Sequence, residues 1–225
     1  MIDLSRYRTL VFDCDGVVLD SNQVKTAAFR VAALPYGEAA AEALVAYHVA
    51  NGGISRYVKF THFLEQILPE HQPEAMPGRD GPDHEALLRL YAETVRDGLL
   101  NCAVTEKLEQ LRDTTEGANW LIVSGGDQNE LRDVFGRRDL SRLFDGGIFG
   151  SPDTKSTILE RELASGNIQS PALFLGDSRL DHQAATAAGL DFVFIHGWTE
   201  VVDWQRYVEE NKLEAISKVG ELANK

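Results

Sequence analysis

Cysteine is scarce in this chain: Cys14 and Cys102 are its only two in 225 residues, and they form no CxxC pair. That excludes a disulfide framework and a thiolate metal finger as the basis of the fold. Positive charge is short as well. Lys and Arg number 22 against 35 Asp and Glu, for a net charge of −13. Such a chain repels nucleic acid and anionic membrane, so neither is expected as a partner. No run approaches the roughly 18 apolar residues of a membrane span. The amino-terminal MIDLSRYRTLVFD is too polar for a secretory signal, and a cytoplasmic location is the expectation. GxxxxGK[ST] and a strand-linked GxGxxG are both missing, which removes the P-loop and dinucleotide readings. The six histidines show no ligand spacing and are expected at the surface or in packing.

What remains is an ordinary globular composition, 44% apolar and 25% charged. Four short apolar runs have the length and β-rich content of buried parallel strands: Thr9–Asp13, Asn119–Ser124, Ala172–Asp177 and Asp191–Gly197. Gly146–Gly150 is a weaker fifth. Between them, VTEKLEQLRD, NELRDVF, STILEREL and DHQAATAAGL carry helical spacing, the last closing at Gly189. Strand alternating with helix predicts an α/β fold, a Rossmann-like parallel sheet with helices on both faces. Residues 22–100 break the alternation. Four helical stretches fill them, interrupted by a Pro- and Gly-rich segment, Pro69–Glu85, read as a mobile loop. An all-helical domain, 21–100, is therefore expected as an insertion into an α/β core of residues 1–20 and 101–225.

The unusual polar residues each follow a strand. Asp13 and Asp15 follow the first, Ser124 the second, Lys155 the weak one, and Asp177 with Asp181 the next. In a parallel sheet these points converge on one rim, where ligands collect. Four carboxylates there require a cation, and oxygen ligands without histidine suit a hard ion, Mg²⁺ above all. A lysine and a hydroxyl at the same rim suit a phosphate. Taken singly each has a plainer reading: a DxDG turn, a helix-capping serine, a first-turn aspartate.

DCDGVVLDS, LIVSGG, GSPDTK and GDSRLD together resemble the four ordered motifs of the haloacid dehalogenase superfamily. The helical insertion resembles the cap of its phosphoglycolate phosphatase and β-phosphoglucomutase branch. Two departures are visible: Ser156 stands where proline is frequent, and Gly-Gly follows Ser124 where many relatives carry a bulkier polar pair. The resemblance implies an enzyme, a Mg²⁺-dependent phosphatase of a small phosphorylated metabolite, acting as monomer or homodimer. Asp13 would be the nucleophile and Asp15 the acid and base, with a pKa above that of Asp13. Asp13, Asp15 through its carbonyl, Asp177 and Asp181 would serve the metal. Ser124, Lys155 and backbone near Gly16 and Gly125 would hold the phosphoryl oxygens. In the cap, Arg56 within NGGISRYVKF and Lys25 would meet the substrate, with Arg179 a weaker third. A mutase is the alternative, and a non-catalytic phospho-acceptor or binding module a distant one. Cys14 is expected in the core, pointing away from both aspartates, and Asp20 and Ser21 are expected to cap the first helix of the insertion.

Overall fold

The computed structural model describes residues 2–224. Among these, six parallel strands make one sheet in the order β3-β2-β1-β4-β5-β6. The strands are β1 (Thr9–Phe12), β2 (Asn119–Asp127), β3 (Gly147–Ser151), β4 (Ala172–Gly176), β5 (Asp191–Ile195) and β6 (Glu214–Ile216). All five expected strands are present, and the weak Gly146–Gly150 run forms the edge strand β3. The sixth carries too little signal to read: β6 is three residues at the opposite edge, none fully buried.

Every residue of β1 is buried, because both faces of the sheet are covered. Leu10 and Phe12 pack on one side with Trp120, Ile122, Leu173 and Leu175. Val11 faces the other with Leu121, Val123, Phe174 and Ile158. That double burial is why the strands read as continuous apolar runs rather than alternating ones. The Phe12 and Trp120 rings lie 4.5 Å apart at the centre of the first layer.

Between β1 and β2 lie α1 (Asn22–Ala33), α2 (Glu38–Ala50), α3 (Arg56–His62), α4 (Leu68–His71) and α5 (His84–Asn101). A π-helical turn at Phe63–Ile67 joins α3 to α4. The helical block shares its apolar interior with one sheet face: Val17, Val18 and Leu19 bridge from the strand end to Phe29, Leu44, Phe60 and Tyr91. The segment read as mobile is partly helical, since α4 reaches His71, and its remainder is tied down. Gln72 Nε2 donates to the Tyr36 carbonyl at 2.5 Å, and the Tyr36 hydroxyl donates to the Pro82 carbonyl at 2.8 Å. Its prolines and glycines mark turns anchored on Tyr36.

The other helices, α6 (Leu108–Thr114), α7 (Gln128–Arg137), α8 (Lys155–Ala164), α9 (Arg179–Ala187) and α10 (Trp204–Asn211), flank the sheet. Gly189 takes the left-handed conformation just beyond α9, as its sequence position predicts. No helix among the described residues is long and apolar enough to cross a membrane.

Candidate active site

The carboxyl end of β1 delivers Asp13 into a setting that is almost dry. Its side chain is held from both sides: the Cys14 N–H donates to Oδ1 at 2.8 Å, and the Lys155 ammonium lies 3.0 Å from Oδ2. Lys155 is at the start of α8, where a cation opposes the helix dipole. Its compensation comes from Asp13 and from Asp181, with which it makes a short ion pair. These partners raise the lysine pKa although burial works to lower it.

Asp181 is fully buried. One of its oxygens takes the Lys155 ammonium, and the other accepts from the Ser178 N–H at 3.0 Å and the Ser178 hydroxyl at 2.6 Å. This is a capping box in which Asp181, at the third position of α9, reaches back to its own N-cap. Asp177, at the end of β4, accepts from Asn22 Nδ2 at 2.9 Å. One oxygen each from Asp13, Asp177 and Asp181 falls within 4.8 Å of the others. Burial, then the neighbouring carboxylates, pushes Asp177 well up. Burial drives Asp13 up to about 7, with Lys155 opposing and Asp181 and Asp15 adding to the rise. Three buried, oxygen-only donors under mutual repulsion fit a hard divalent cation.

Asp15 stands apart from this triad. Its Oδ2 receives the Lys25 ammonium at 2.5 Å and its Oδ1 the Ser21 hydroxyl at 2.5 Å. Burial works to raise its pKa, but Lys25, then Ser21, outweighs it, and the net shift is downward. These shifts run opposite to the order expected with a cation on Asp13, whose charge would draw the Asp13 pKa down. Ser21 also departs from expectation. It occupies the N-cap of α1 but makes no side-chain capping bond; its hydroxyl is turned to donate to Asp15 and the Leu19 carbonyl.

Gly16 has a different account from the phosphate contact expected of it. Its N–H donates to the Leu19 carbonyl at 2.8 Å. It takes φ +74°, and a Cβ there would come within 2.1 Å of Asp177 Oδ2. The glycine lets Asp177 approach. Ser124 is fully buried near the end of β2, where the pairing with β3 shifts register between Val123 and Asp127. Its hydroxyl accepts from the Gly126 N–H at 3.1 Å, and the helix that follows is capped by Asp127 instead.

The helical block supplies the opposite wall. Gly53 of the α2–α3 loop sits against Gly125, where a Cβ would lie 2.0 Å from the Gly53 carbonyl oxygen. Arg56, at the start of α3, donates from Nη1 to Glu130 Oε2 at 2.8 Å and stands 3.8 Å from Asp127. Tyr57 adds a hydroxyl bond to Asp127 at 2.6 Å. Lys25 and Arg56 therefore both line the cavity, each paired with a carboxylate. Arg179 does not: it is half exposed and pairs with Asp203 at 2.5 Å. Cys14 is fully buried in the core, as expected. His182 bonds Tyr207 at 2.8 Å and packs on Phe192.

The cavity between the core and the helical block measures about 70 Å³. A crevice of about 740 Å³ adjoins it between the end of α2 and the start of α9, and Gly52, Ile54, Ser178 and Glu200 line both. Four residues escaped the sequence reading. Asn22 holds Asp177, and His48, Lys59 and Glu200 line the far wall. Asn22 could have been found as the first helical residue after the DxDG turn. Lys59 lies within NGGISRYVKF, just after Arg56, and was passed over there; His48 and Glu200 carry no motif.

A model of the haloacid dehalogenase-like hydrolase family matches residues 7–189. This chain belongs to that family. Over 191 residues it is 25% identical to a protein of Thermotoga maritima named phosphorylated carbohydrates phosphatase, covering 82% of this chain and 83% of that one. A "predicted phosphoglycolate phosphatase" of Haemophilus somnus superposes with a TM-score of 0.75 at 14% identity, covering 97% of each chain. A HAD-type hydrolase of Bacillus subtilis, solved bound to magnesium, superposes at 0.65 and 20% identity, covering 97% of this chain and 98% of that one. These neighbours share the fold across the whole chain. The family membership makes this haloacid dehalogenase-like protein a hydrolase.

Proposed function

We propose that this hydrolase is a phosphatase of a small phosphorylated metabolite, with residues 21–100 acting as a cap over a catalytic core of residues 1–20 and 101–225. The observation that carries the reading is the convergence on Asp13. A buried carboxylate, fixed by a backbone N–H and a lysine, shares its rim with Asp177, Asp181 and Ser124. The Thermotoga relative's name supports a phosphorylated substrate.

Asp13 attacks phosphorus in line; its oxygen bonds to phosphorus as the ester P–O bond breaks. The departing alkoxide takes a proton from Asp15. In the second half, water attacks phosphorus, the bond to Asp13 breaks, and the water proton returns to Asp15, leaving inorganic phosphate and an alcohol. The Lys25 contact favours the ionised Asp15 that this second half needs. Lys155 and the Ser124 hydroxyl, with backbone near Gly125, hold the phosphoryl oxygens. Asp181 keeps Lys155 aimed. Asp13 and Asp177, with Asp181 beside them, would hold Mg²⁺, as the all-oxygen donor set and the magnesium-bound Bacillus structure favour. An ion held there would supply positive charge to offset that developing on the transferring group.

Two features support a cap that moves. The cavity of about 70 Å³ is far below the roughly 300 Å³ at which small-molecule pockets begin. Across the cavity itself the two parts meet through polar pairs, Arg56 with Glu130 and Tyr57 with Asp127. The test is a panel of phosphorylated metabolites with Mg²⁺, reading free phosphate and isomerised product together. Phosphate release that Asp13→Asn abolishes is expected. Isomerised product without release would make the enzyme a mutase, and no turnover of any ester would overturn the reading.

A further inference from the structure

Three cationic side chains of the helical block line the cavity, and two are matched by carboxylates, Lys25 by Asp15 and Arg56 by Glu130. Lys59, on α3, is not. It is 1% exposed, and its ammonium meets only His48: Nδ1 at 2.7 Å and the carbonyl oxygen at 3.4 Å. The ring of Phe29 lies 5.4 Å away. Among the described residues no carboxylate comes within ion-pairing distance of it.

The surroundings fix the direction of every hydrogen bond here. An ammonium only donates, so His48 Nδ1 accepts and the ring hydrogen sits on Nε2. Nε2 then donates to Thr26 Oγ1 at 3.1 Å, and that hydroxyl donates to Glu200 Oε1 at 2.8 Å. Three neutral or cationic groups in line thus pass their hydrogens toward Glu200 and away from Lys59. The relay holds Lys59 in place without neutralising it. Burial accordingly lowers the ammonium to about 7.

A second cation in the same cavity has the complementary need: its charge is matched by Glu130 and Asp127, but one of its donors is not. Arg56 Nε is buried and has no hydrogen-bond partner. An ammonium that no carboxylate pairs and a guanidinium N–H without a partner line one cavity, and together they call for an acceptor there. A hydroxyl would satisfy their hydrogen bonds but leave the buried charge of Lys59 unopposed, which is costly. An oxyanion answers both needs.

We propose that Lys59, positioned by His48, receives a second anionic group of the substrate, a carboxylate or a further phosphate remote from the phosphoryl group transferred at Asp13. The substrate is then the phosphate ester of an acid, or a bisphosphate, rather than the ester of a neutral alcohol. The inference rests on the phosphatase reading and narrows it.

Matched esters test it. With Mg²⁺ present, kcat/KM is measured for phosphate esters of ω-hydroxy acids, for α,ω-diol bisphosphates and for n-alkyl phosphates, each of two to four carbons. The wild-type enzyme is expected to favour one anionic series by about 100-fold over the alkyl series, mostly through KM. The series preferred distinguishes carboxylate from phosphate. In Lys59→Met the preference should fall to within about threefold of unity, while Lys59→Arg retains a measurable part of it. Alkyl phosphates turned over as well as the anionic ones by the wild type would overturn the inference and leave the phosphatase reading standing, with no variant needed. Preference surviving in a folded Lys59→Met enzyme would also overturn it. Hydrolysis of none of the esters, nor of the wider metabolite panel, would overturn the phosphatase reading and this inference with it.

Discussion

Lys25 and Asp15 meet at 2.5 Å across the junction of the sheet and the helical block, one on α1 and the other on the turn after β1. Both are largely buried, and the contact raises the lysine pKa while lowering that of the aspartate. Burial alone works in the opposite direction on each, so the pairing overrides the desolvation. In the proposed reaction Asp15 must both give and take a proton, and Lys25 sets the balance between the two.

Replacing Lys25 with methionine keeps the stem and removes the charge. Asp15 is then left buried with Ser21 as its hydrogen-bond donor, and a broken buried pair costs about 3 kcal/mol or more. Urea denaturation should register that loss. Without Lys25 the Asp15 pKa rises, which favours the acid of the first half and slows the water attack of the second. That step is common to every ester, so kcat for an alkyl phosphate and for p-nitrophenyl phosphate should fall together by about 100-fold while the phosphoenzyme accumulates. A loss confined to the alkyl ester, with no build-up of phosphoenzyme, would remove Lys25 from the second half.

The Gly125 and Gly53 backbones touch, and a single methyl group at Gly125 would collide with the Gly53 carbonyl. Gly125→Ala is expected to hold the two parts apart while each keeps its own interior. A displacement of about 1 Å at a reacting centre is worth roughly 100-fold in rate, so kcat/KM should fall by about that much with little change in unfolding temperature. Small-angle scattering would show the expanded form. Unchanged kinetics would mean that the contact is not kept during turnover.

Arg56 spans from the helical block to Glu130 and Asp127 of the core, and its guanidinium lies 5.2 Å from the Tyr91 ring. Arg56→Ala should raise KM for the native ester about tenfold more than for p-nitrophenyl phosphate, since only the former reaches the cap wall. Glu130→Gln separates two roles. If the arginine acts by fastening the cap, this substitution reproduces the effect; if it acts on substrate, KM stays near the wild-type value.

His48 is held neutral by burial, reinforced by Lys59 and Lys25, and its pKa drops to about 2. In the unfolded chain it titrates near 6.5. Below that pH the unfolded state binds a proton the folded state refuses, so stability falls as pH drops from about 6.5 toward 2. His48→Gln keeps an acceptor for Lys59 and a donor for Thr26 but cannot titrate. Urea midpoints of wild type and variant, compared at pH 7.5 and pH 5, should show the smaller acid loss in the variant. Glu200 titrates in both proteins and cancels from the comparison.

Much of this was written in local pattern. The apolar runs that became β1, β2, β4 and β5 are legible because burial on both faces leaves no polar alternation to confuse them. Asp13, Ser124, Lys155, Asp177 and Asp181 are legible because a parallel sheet sends every strand end to one rim. Lys59 and His48 were not, although both sit in the same cavity. They lie on helices whose faces the spacing assigns to packing, and a lysine in such a pattern reads as solvated. Ser21 was misread for a related reason: a serine before a helix has a default partner in that helix, and only the fold brings Asp15 close enough to compete.

Sequence by itself determined the layered α/β architecture, the helical insertion and the meeting of the core motifs, since strand period and chain order are local properties that topology must obey. Tertiary structure alone decided which cation answers which carboxylate. Ion pairing depends on a few ångströms between side chains of different elements: Lys25 came to Asp15, Arg56 to Glu130, and Lys59, among the described residues, to no carboxylate within pairing distance.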